Sequence, residues 1–561
     1  MNTPRAIAMA MHIHASFSEG TASYESHLDQ ASRHSVDVIW WTDHDFRVAA
    51  HQYRQAVRFD GPVEAEGELE WSWTEERSGD LTAARADYVT EPHTPDEDGS
   101  ALRLIATGGT GGGELWQRGT AFNWTYSVSL ADTTLELDIL PEECTPGAAL
   151  VLQIESSHHP ARAGRPAGQY RLEYRFGAVN EAKQSADGLL GIVQVPVVTR
   201  RWQRQTLRPV DDIAAIWPDL VAEDNSLHQL RIGVRADEGE QACFVVDRLR
   251  FDRGRGDGPA GVRLRREVLK RYTGAYPDVT CHEAFEISLV RHLNWFGGEL
   301  TLPPLPVPPY RDNDVDRATE MVEFIHRHGG LVQWNHPLDI ETPESLAALM
   351  IERDNLGADL VEIGREPVDG LLDVFDIAAR NAVFFTGVGV TDDHEGTDWL
   401  RRKNNWITYV WAPSTEVTDL TRALRAGRAW FCDPARWRGE LDMLVWGKPA
   451  MGGVAVSAAD SVPIEVSATD LPGDCRLDII VGTVDHAGLA DLSPSYTTVP
   501  VSTVSGVSRY PLEVAVGDGS YVRAQIRDGS DALVAVGNPV WLLRTVPPRG
   551  IPDERRITHI G

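Results

Sequence analysis

Residues 7–14, Ile-Ala-Met-Ala-Met-His-Ile-His, form an apolar run that ends in two histidines and predicts a β-strand. Side chains at positions i and i+2 of a strand point to the same face, so His12 and His14 can approach one metal ion together. A second apolar run at 36–41 ends at Thr42-Asp43-His44, and a capped helical stretch lies between the two runs. The chain therefore begins as strand, helix and strand, with histidines at both strand ends.

Further candidate ligands follow the later predicted strands. Glu19 lies in a turn after His14, and Glu286 lies inside an apolar strand, where an unpaired carboxylate would be costly. The remaining candidates follow Glu286 or lie in or at the end of later predicted strands: His292, Asn335-His336-Pro337, Glu362 and Thr391-Asp392-Asp393-His394. Each residue has an ordinary explanation by itself, such as a turn histidine or a salt-bridged glutamate. The joint pattern indicates a metal site at the carboxyl ends of parallel strands.

The predicted secondary-structure pattern changes three times along the chain. Residues 65–255 show little helical periodicity and many short alternating runs, which is typical of a β-sandwich or jelly roll. Alternating strands and helices are predicted again after Gly261, and strands without helices are predicted again from about residue 440. We therefore predict an α/β domain in two parts, 1–58 and 259–436, interrupted by a β-sandwich at 59–258 and followed by a second β-sandwich and tail at 437–561.

Charge and composition exclude several classes of protein. With 83 acidic and 53 basic residues the formal net charge is −30, which argues against a nucleic acid or an anionic membrane as a stable partner. No run reaches about 18 apolar residues, and the run near the N-terminus is too short for a signal peptide. Five widely spaced cysteines without a C-x-x-C pair indicate a reducing compartment. We expect a cytoplasmic protein with a small-molecule substrate.

The histidine and carboxylate motifs closely resemble those of the PHP superfamily (polymerase and histidinol phosphatase). The resemblance covers roughly residues 5–55 and 260–435, and the order and spacing of the motifs match as well as their residues. The matching motifs are His12-x-His14, Ser18-Glu19-Gly20, Thr42-Asp43-His44, Asn335-His336-Pro337 and Gly389-Val390-Thr391-Asp392-Asp393-His394. The C-terminal stretches Tyr521-Val522-Arg523 and Gly537-Asn538-Pro539-Val540 are similar, on weaker grounds, to the carbaryl hydrolase-like branch.

The resemblance implies a distorted (β/α)7 barrel that holds two to three divalent transition metal ions, with Zn, Mn and Fe all suited to the ligands. Glu286 and Asp392 would be the catalytic carboxylates, and Glu286 would bridge the first two ions. The ligands carried over by motif are His12, His14, Glu286 and Asp392 for the first ion, Glu286, His292 and His336 for the second, and Glu19, His44 and His394 for the third. Asp43 would support the site from behind the ligands.

Two departures from the family pattern affect these assignments. Glu19 stands where the family commonly has an aspartate, and its longer side chain could weaken the third site. The β insertion separates His44 from Glu286, so Glu68 or Glu70 lies at the more usual distance after His44. Glu286 is preferred, because the Glu-Ile-Ser context with His292 following it fits the family better.

The implied chemistry is hydrolysis by a metal-bridging hydroxide. A phosphoesterase acting on a small phosphoester is the first hypothesis, with Arg47 and Arg365 as candidate contacts to an anionic substrate or as ordinary surface charges. An amide, ester or carbamate hydrolase of the carbaryl hydrolase-like type is the alternative. A non-catalytic carbohydrate-binding protein is a third, since tryptophans in the insertion can stack on sugars or fill its core: Trp116, Trp124, Trp202 and Trp217.

Overall fold

The computed structural model of the protein describes residues 3–51, 55–56, 59, 71–89, 100–121, 129–304, 310–400, 405–485, 496–502 and 508–558. The alternative ligands Glu68 and Glu70, and Trp124, lie outside these described residues. Secondary structure in the described part is mostly β, with few helices. None of its helices is long and apolar enough to cross a membrane.

The helices are concentrated in the two parts of the chain that surround the insertion. They are α1 (Tyr24–Arg33), α2 (Asp45–Ala49), α3 (Pro209–Ile216), α4 (Gly258–Lys270), α5 (Val315–Arg327), α6 (Pro343–Arg353), α7 (Val368–Arg380) and α8 (Val417–Arg425). Local sequence explains several of their first residues. Ser23 caps α1 by accepting from the Ser26 amide, and Thr342 forms a capping box with Ser345 at α6.

The strands before residue 254 are β1 (Arg5–Ala10), β2 (Val38–Trp41), β3 (Gln55–Ala56), β4 (Trp71–Val89), β5 (Ala101–Ala121), β6 (Thr133–Cys144), β7 (Ala148–His159), β8 (Gly168–Gly177), β9 (Lys183–Asp187), β10 (Leu190–Pro196), β11 (Gln203–Leu207), β12 (Gln229–Ala236) and β13 (Gln241–Arg253). Strands β3 to β13 form one sheet with its own apolar core. We call this part of the chain the inserted domain.

The later strands are β14 (Thr280–Ile287), β15 (Leu293–Phe296), β16 (Leu331–Trp334), β17 (Leu360–Gly364), β18 (Thr386–Gly389), β19 (Ile407–Ala412), β20 (Ala429–Cys432), β21 (Leu441–Val445), β22 (Lys448–Pro449), β23 (Val454–Val456), β24 (Ser461–Ala468), β25 (Arg476–Thr483), β26 (Tyr496–Ser502), β27 (Ser508–Ala515), β28 (Gly519–Arg527), β29 (Leu533–Gly537), β30 (Val540–Leu543) and β31 (Arg556–Ile557).

A mixed sheet carries the strands that resemble the PHP pattern, in the order β18-β17-β16-β15-β14-β2-β1-β19-β20. Strands β1, β2 and β14 are parallel to one another, as are β16, β17 and β18, but β15 and β19 run antiparallel to their neighbours. The strand pairing therefore does not show the distorted (β/α)7 barrel that the resemblance implies. The connection between β14 and β15 is too short for a parallel crossover, which needs a dozen or more residues.

The mixed sheet curls so that the chain after β18 meets the chain after β1. Ile13 and Asp393 form a parallel bridge, and the His14 amide donates to the Asp393 carbonyl at 2.9 Å. At the same edge, His44 and Glu286 form a second parallel bridge. This curl brings the ends of β1, β2, β14 and β18 to one place, where the sequence puts its candidate ligands.

The inserted domain buries two of the tryptophans that were candidates for sugar stacking. Trp217 is 1% exposed and packs edge-on against Tyr170, and Trp116 is 6% exposed. Trp202 is half-buried. Of the two alternatives that the sequence left open, sugar stacking and core filling, core filling accounts for the positions of Trp116 and Trp217.

The C-terminal strands continue the mixed sheet, because β20 pairs with β29. A second link is the buried ion pair between Arg523 of β28 and Asp376 of α7, with an Nη2–Oδ2 distance of 2.6 Å. The Asp376 carboxylate also accepts from the Tyr521 hydroxyl at 3.1 Å. The α/β part and the C-terminal part are thus joined both through their backbones and through a charged contact shielded from water.

Replacing Arg523 should test this link. We expect Arg523→Leu to lower the free energy of unfolding by about 3–5 kcal/mol, because it leaves the Asp376 carboxylate buried without its cation. The control Arg509→Leu removes an ion pair whose arginine is 67% exposed, and should change stability by less than about 1 kcal/mol. Urea unfolding followed by tryptophan fluorescence measures both. Equal effects of the two substitutions would contradict the structural role of Arg523.

Candidate metal centre

Two hydrogen bonds fix the backbone between His12 and His14. The Ile13 amide donates to the Thr42 hydroxyl oxygen at 2.9 Å, and that hydroxyl donates to the Ile13 carbonyl at the same distance. The Ile13 side chain is buried in the hydrophobic core, so the two histidines on either side of it face the other way. Their Nε2 atoms lie 3.0 Å apart.

The carboxylate of Glu286 lies at the centre of the histidines. Its side chain is 1% exposed and accepts a hydrogen bond from the Asn335 amide group at 2.9 Å. The distances from its oxygens to the nearest imidazole nitrogens are 2.8 Å for His292, 2.9 Å for His44, 3.3 Å for His14, 3.3 Å for His336 and 3.5 Å for His12. One buried carboxylate is therefore surrounded by five imidazoles from four separate parts of the chain.

Asp392 and Glu19 lie on the more exposed side of the cluster. An oxygen of Asp392 lies 3.4 Å from the His12 Nε2 atom and 3.5 Å from the His14 Nε2 atom. Glu19 contacts the His44 Nε2 atom, and its Oε1 atom lies 3.6 Å from the Nε2 atom of His394. His44 is thus in contact with both Glu286, through Nδ1, and Glu19, through Nε2.

The structure brings all nine predicted ligands into one cluster. Four groups of three have ligand atoms within 4.8 Å of one another: His12, His336 and Asp392; His12, His14 and Glu286; His14, Glu19 and His394; His44, Glu286 and His292. His12, His14 and Glu286 each belong to two of these groups. The grouping differs from the sequence-based assignment in three respects. His336 lies with His12 and Asp392, and His14 lies with Glu19 and His394 as well as with His12 and Glu286. His44 lies with Glu286 and His292 as well as beside Glu19.

Side chains outside the cluster orient the imidazoles. Glu362 is fully buried, and its Oε1 atom lies 2.6 Å from the Nδ1 atom of His12, which leaves Nε2 directed at the cluster. The same carboxylate accepts from the Gln333 amide group and from the backbone amide of His336. Such contacts set the tautomer and ring orientation of a metal-binding histidine. Glu362 therefore supports the ligands.

The charges of the cluster strongly shift its pKa values. Burial lowers the pKa of His12, but Asp392, Glu286 and Glu362 outweigh this and raise it to about 10. The pKa of His14 is also raised to about 10, where contacts with Asp392 and Glu286 outweigh burial. By contrast, burial lowers the pKa of His292 to about 4. The carboxylates of the cluster thus favour the protonated forms of His12 and His14.

Two observations show that divalent transition metal ions fit these residues. The donors are imidazole nitrogens and carboxylate oxygens, a mixture that suits Zn, Mn and Fe. The Nε2 atom of His292 is buried and has no hydrogen-bond partner among the described residues. A buried polar atom without a partner is costly, and a bound ion would supply one.

Three of the candidate ligands have left-handed backbone conformations that non-glycine residues rarely adopt. The φ angles are 49° at His292, 27° at His336 and 48° at Asp392. Conformations of this kind cost about 1–3 kcal/mol each and persist where the surroundings enforce them, commonly at functional sites. The sequence carries no signal for them, because they arise from contacts between distant parts of the chain.

Three arginines lie beside the cluster. Arg365 contacts Asp392 with an Nη1–Oδ2 distance of 2.6 Å, and the Arg47 Nε atom lies 3.2 Å from Glu19. Sequence reasoning missed Arg311, whose Nε atom donates to the Ser288 carbonyl at 3.1 Å. Burial lowers the pKa of Arg311, while the nearby charges of Glu286 and Glu19 raise it. No motif in the sequence singles out Arg311.

Comparisons with known proteins add little to this geometry. No family model and no curated protein matches the chain. A two-domain protein from Bacteroides vulgatus, described as containing a predicted PHP-like metal-dependent phosphoesterase, is 14% identical, with 51% of this chain and 83% of that chain covered and a TM-score of 0.25. The family 11 carbohydrate-binding module of a cellulosomal cellulase of Clostridium thermocellum is 12% identical, with 36% and 97% covered and a TM-score of 0.21.

Metal binding should depend on pH. The raised pKa values mean that His12 and His14 are protonated near pH 7 in the metal-free protein, whereas a metal ion binds neutral imidazole. We expect affinity for Zn²⁺ or Mn²⁺ to increase with pH up to about pH 10, where these imidazoles lose their protons, and one or more protons to be released per ion at pH 7. Calorimetry in two buffers of different ionisation enthalpy measures this release. Binding without proton release at pH 7 would contradict the prediction.

Proposed function

We propose that this protein is a metal-dependent hydrolase of the PHP type, and that the curled mixed sheet is a distorted barrel of that kind. The observation that carries the proposal is the buried Glu286 carboxylate in contact with five imidazoles. A cluster with these donors suits two or three divalent ions, each within reach of at least three ligands. Bound ions would activate water for hydrolysis and offset negative charge on the attacked group.

The chain's own residues have separable parts in this proposal. Glu286 holds the centre of the cluster, Asp392 lies beside His12 and His14, and Glu362 orients His12. Glu19 and His394, with side chains 31% and 34% exposed, lie at the open side. Substrate therefore approaches past the Glu19 and Asp392 side, where the arginines lie.

A small phosphoester is the substrate class that we favour. Arg47 and Arg365 contact the carboxylates on the open side, and Arg311 lies near Glu286 and Glu19. Guanidinium groups bind phosphate oxygens well, because they offer several donors in a planar array. A neutral amide, ester or carbamate gives such groups no charge to bind. The amide, ester or carbamate hydrolase remains the second candidate, since activated water would serve it equally.

The Glu286→Gln variant tests the proposed function. Loss of the central charge should weaken metal binding by at least two of the ligand groups and lower turnover by about 100-fold or more. Replacement of a residue that only supports a ligand already lowers metal affinity or activity by about 10–100-fold. Glu283→Gln is a matched control on the same strand, because Glu283 pairs with Arg266 away from the cluster. We expect this control to keep metal content and turnover within about twofold. Metal content and the hydrolysis of p-nitrophenyl phosphate are the measurements. Unchanged metal content and turnover in Glu286→Gln would contradict the proposal.

The Arg47→Ala variant distinguishes the two substrate classes. Hydrogen bonds to charged groups contribute about 1.5–3 kcal/mol, so KM for a phosphomonoester should increase by about tenfold or more. KM for p-nitrophenyl acetate, which is neutral, should change by less than about twofold. Arg33→Ala, at an exposed pair with Asp29 on α1, serves as the control. Efficient hydrolysis of the acetate that exceeds that of the phosphoester would instead favour the second candidate.

A further inference from the structure

The loop that carries Glu19 lies between the inserted domain and the cluster of candidate ligands. Backbone hydrogen bonds join Ser23 to the His158 carbonyl at 3.0 Å and His158 to the Thr21 carbonyl at 2.7 Å. On the opposite side, the Ala22 amide donates to the carbonyl of His394 at 3.0 Å. His158 belongs to the inserted domain and His394 to the cluster. This loop, residues 15–24, therefore lies where the two meet.

The loop also packs tightly on His14. A Cβ atom added at Gly20 would lie 2.2 Å from the His14 carbonyl oxygen, so only glycine fits at this approach. Glu19 directly precedes this contact. A small movement of the loop would therefore displace Glu19 from His44 and His394.

One buried carboxylate of the inserted domain holds both ends of the loop. Asp224 is fully buried, and its Oδ1 atom accepts from the Ser16 hydroxyl at 2.6 Å and from the Tyr24 amide at 3.0 Å. Its Oδ2 atom accepts from the Glu25 amide at 3.3 Å and from the Tyr272 hydroxyl at 2.6 Å. Because Tyr24 and Glu25 are the first residues of α1, the carboxylate also lies at a favourable helix terminus.

A second set of hydrogen bonds extends from Tyr24 to the ligands. The Tyr24 hydroxyl donates to Asp43 Oδ2 at 2.5 Å, and Asp43 Oδ1 accepts from the Ala15 amide at 2.9 Å. Asp43 precedes His44 in the chain, and Ala15 follows His14. The position of Tyr24, which Asp224 fixes, is thus transmitted to the backbone next to two candidate ligands.

We propose that Asp224 is a positioning residue for the Glu19 loop, and that the inserted domain is an integral part of the metal centre at Glu19, His14 and His394. The proposal rests on the proposed function for the presence of the ions, but the placement of the loop does not depend on them. It gives the inserted domain a role other than that of a separable binding module. Removal of the Asp224 charge should then weaken metal binding at Glu19, His14 and His394 more than at the other ligands.

The test compares Asp224→Asn with Asp212→Asn in the full-length protein. Asp212 is a matched control, because it accepts from a buried tyrosine, Tyr174, elsewhere in the inserted domain. In Asp224→Asn we expect the ion at Glu19, His14 and His394 to bind at least about tenfold more weakly, with the other ions retained. In the metal-free protein, amide hydrogens of residues 15–24 should exchange at least about tenfold faster. Asp212→Asn should change neither quantity.

A milder pair of variants covers the case in which Asp224→Asn does not fold. Tyr272→Phe removes one hydrogen bond to Asp224, and Tyr174→Phe removes the corresponding bond to Asp212. We expect about fivefold faster exchange of the loop in the first variant only. Unchanged exchange and unchanged metal affinity in Asp224→Asn, or in Tyr272→Phe if the former is unfolded, would overturn the proposal. If wild-type protein takes up no metal while exchange still responds to Asp224, the positioning role stands and the proposed hydrolase function fails.

Discussion

The constraint on which the structure depends is the burial of the Glu286 carboxylate. A charge removed from water costs several kcal/mol unless partners surround it, and the partners here are imidazoles from different strands and turns. They can converge only if the sheet curls, so that the ends of β1, β2 and β16 meet beside β14. The left-handed backbone at His292 and His336 fits the same requirement, since it directs two of these imidazoles at the carboxylate.

The sequence is informative where chemistry and strand periodicity coincide. His12 and His14 share a strand face, and Glu286 is conspicuous because the strand around it is apolar. Helix α6 also has a local signal, because its Thr342 cap precedes a proline at the first helical position. In each case, a residue and its near neighbours contain the whole physical signal.

The rest depends on contacts between distant residues, which local patterns do not encode. The antiparallel strand β15 was not predicted, because an apolar tetrapeptide looks the same in either orientation. The pairing of β20 with β29 joins segments about a hundred residues apart, and the buried Arg523–Asp376 pair reinforces it. Arg311 reaches the cluster through a backbone contact at Ser288, which has no counterpart in any motif. Asp224 is likewise an ordinary loop aspartate in the sequence, and its four donors become apparent only in three dimensions.

Charge balance links the metal ions to substrate binding in the proposed function. The carboxylates in or beside the cluster include Glu19, Glu286, Asp339, Glu362 and Asp392, and Arg47 and Arg365 contact two of them. Protons on His12 and His14 offset part of this negative charge in the metal-free protein, and metal ions would replace those protons. Two divalent ions would add more positive charge than the two protons they replace, and within a screening length of about 8 Å the local charges dominate over the overall charge of −30. The ions would thus strengthen an attraction for a phosphoester to which the arginines also contribute.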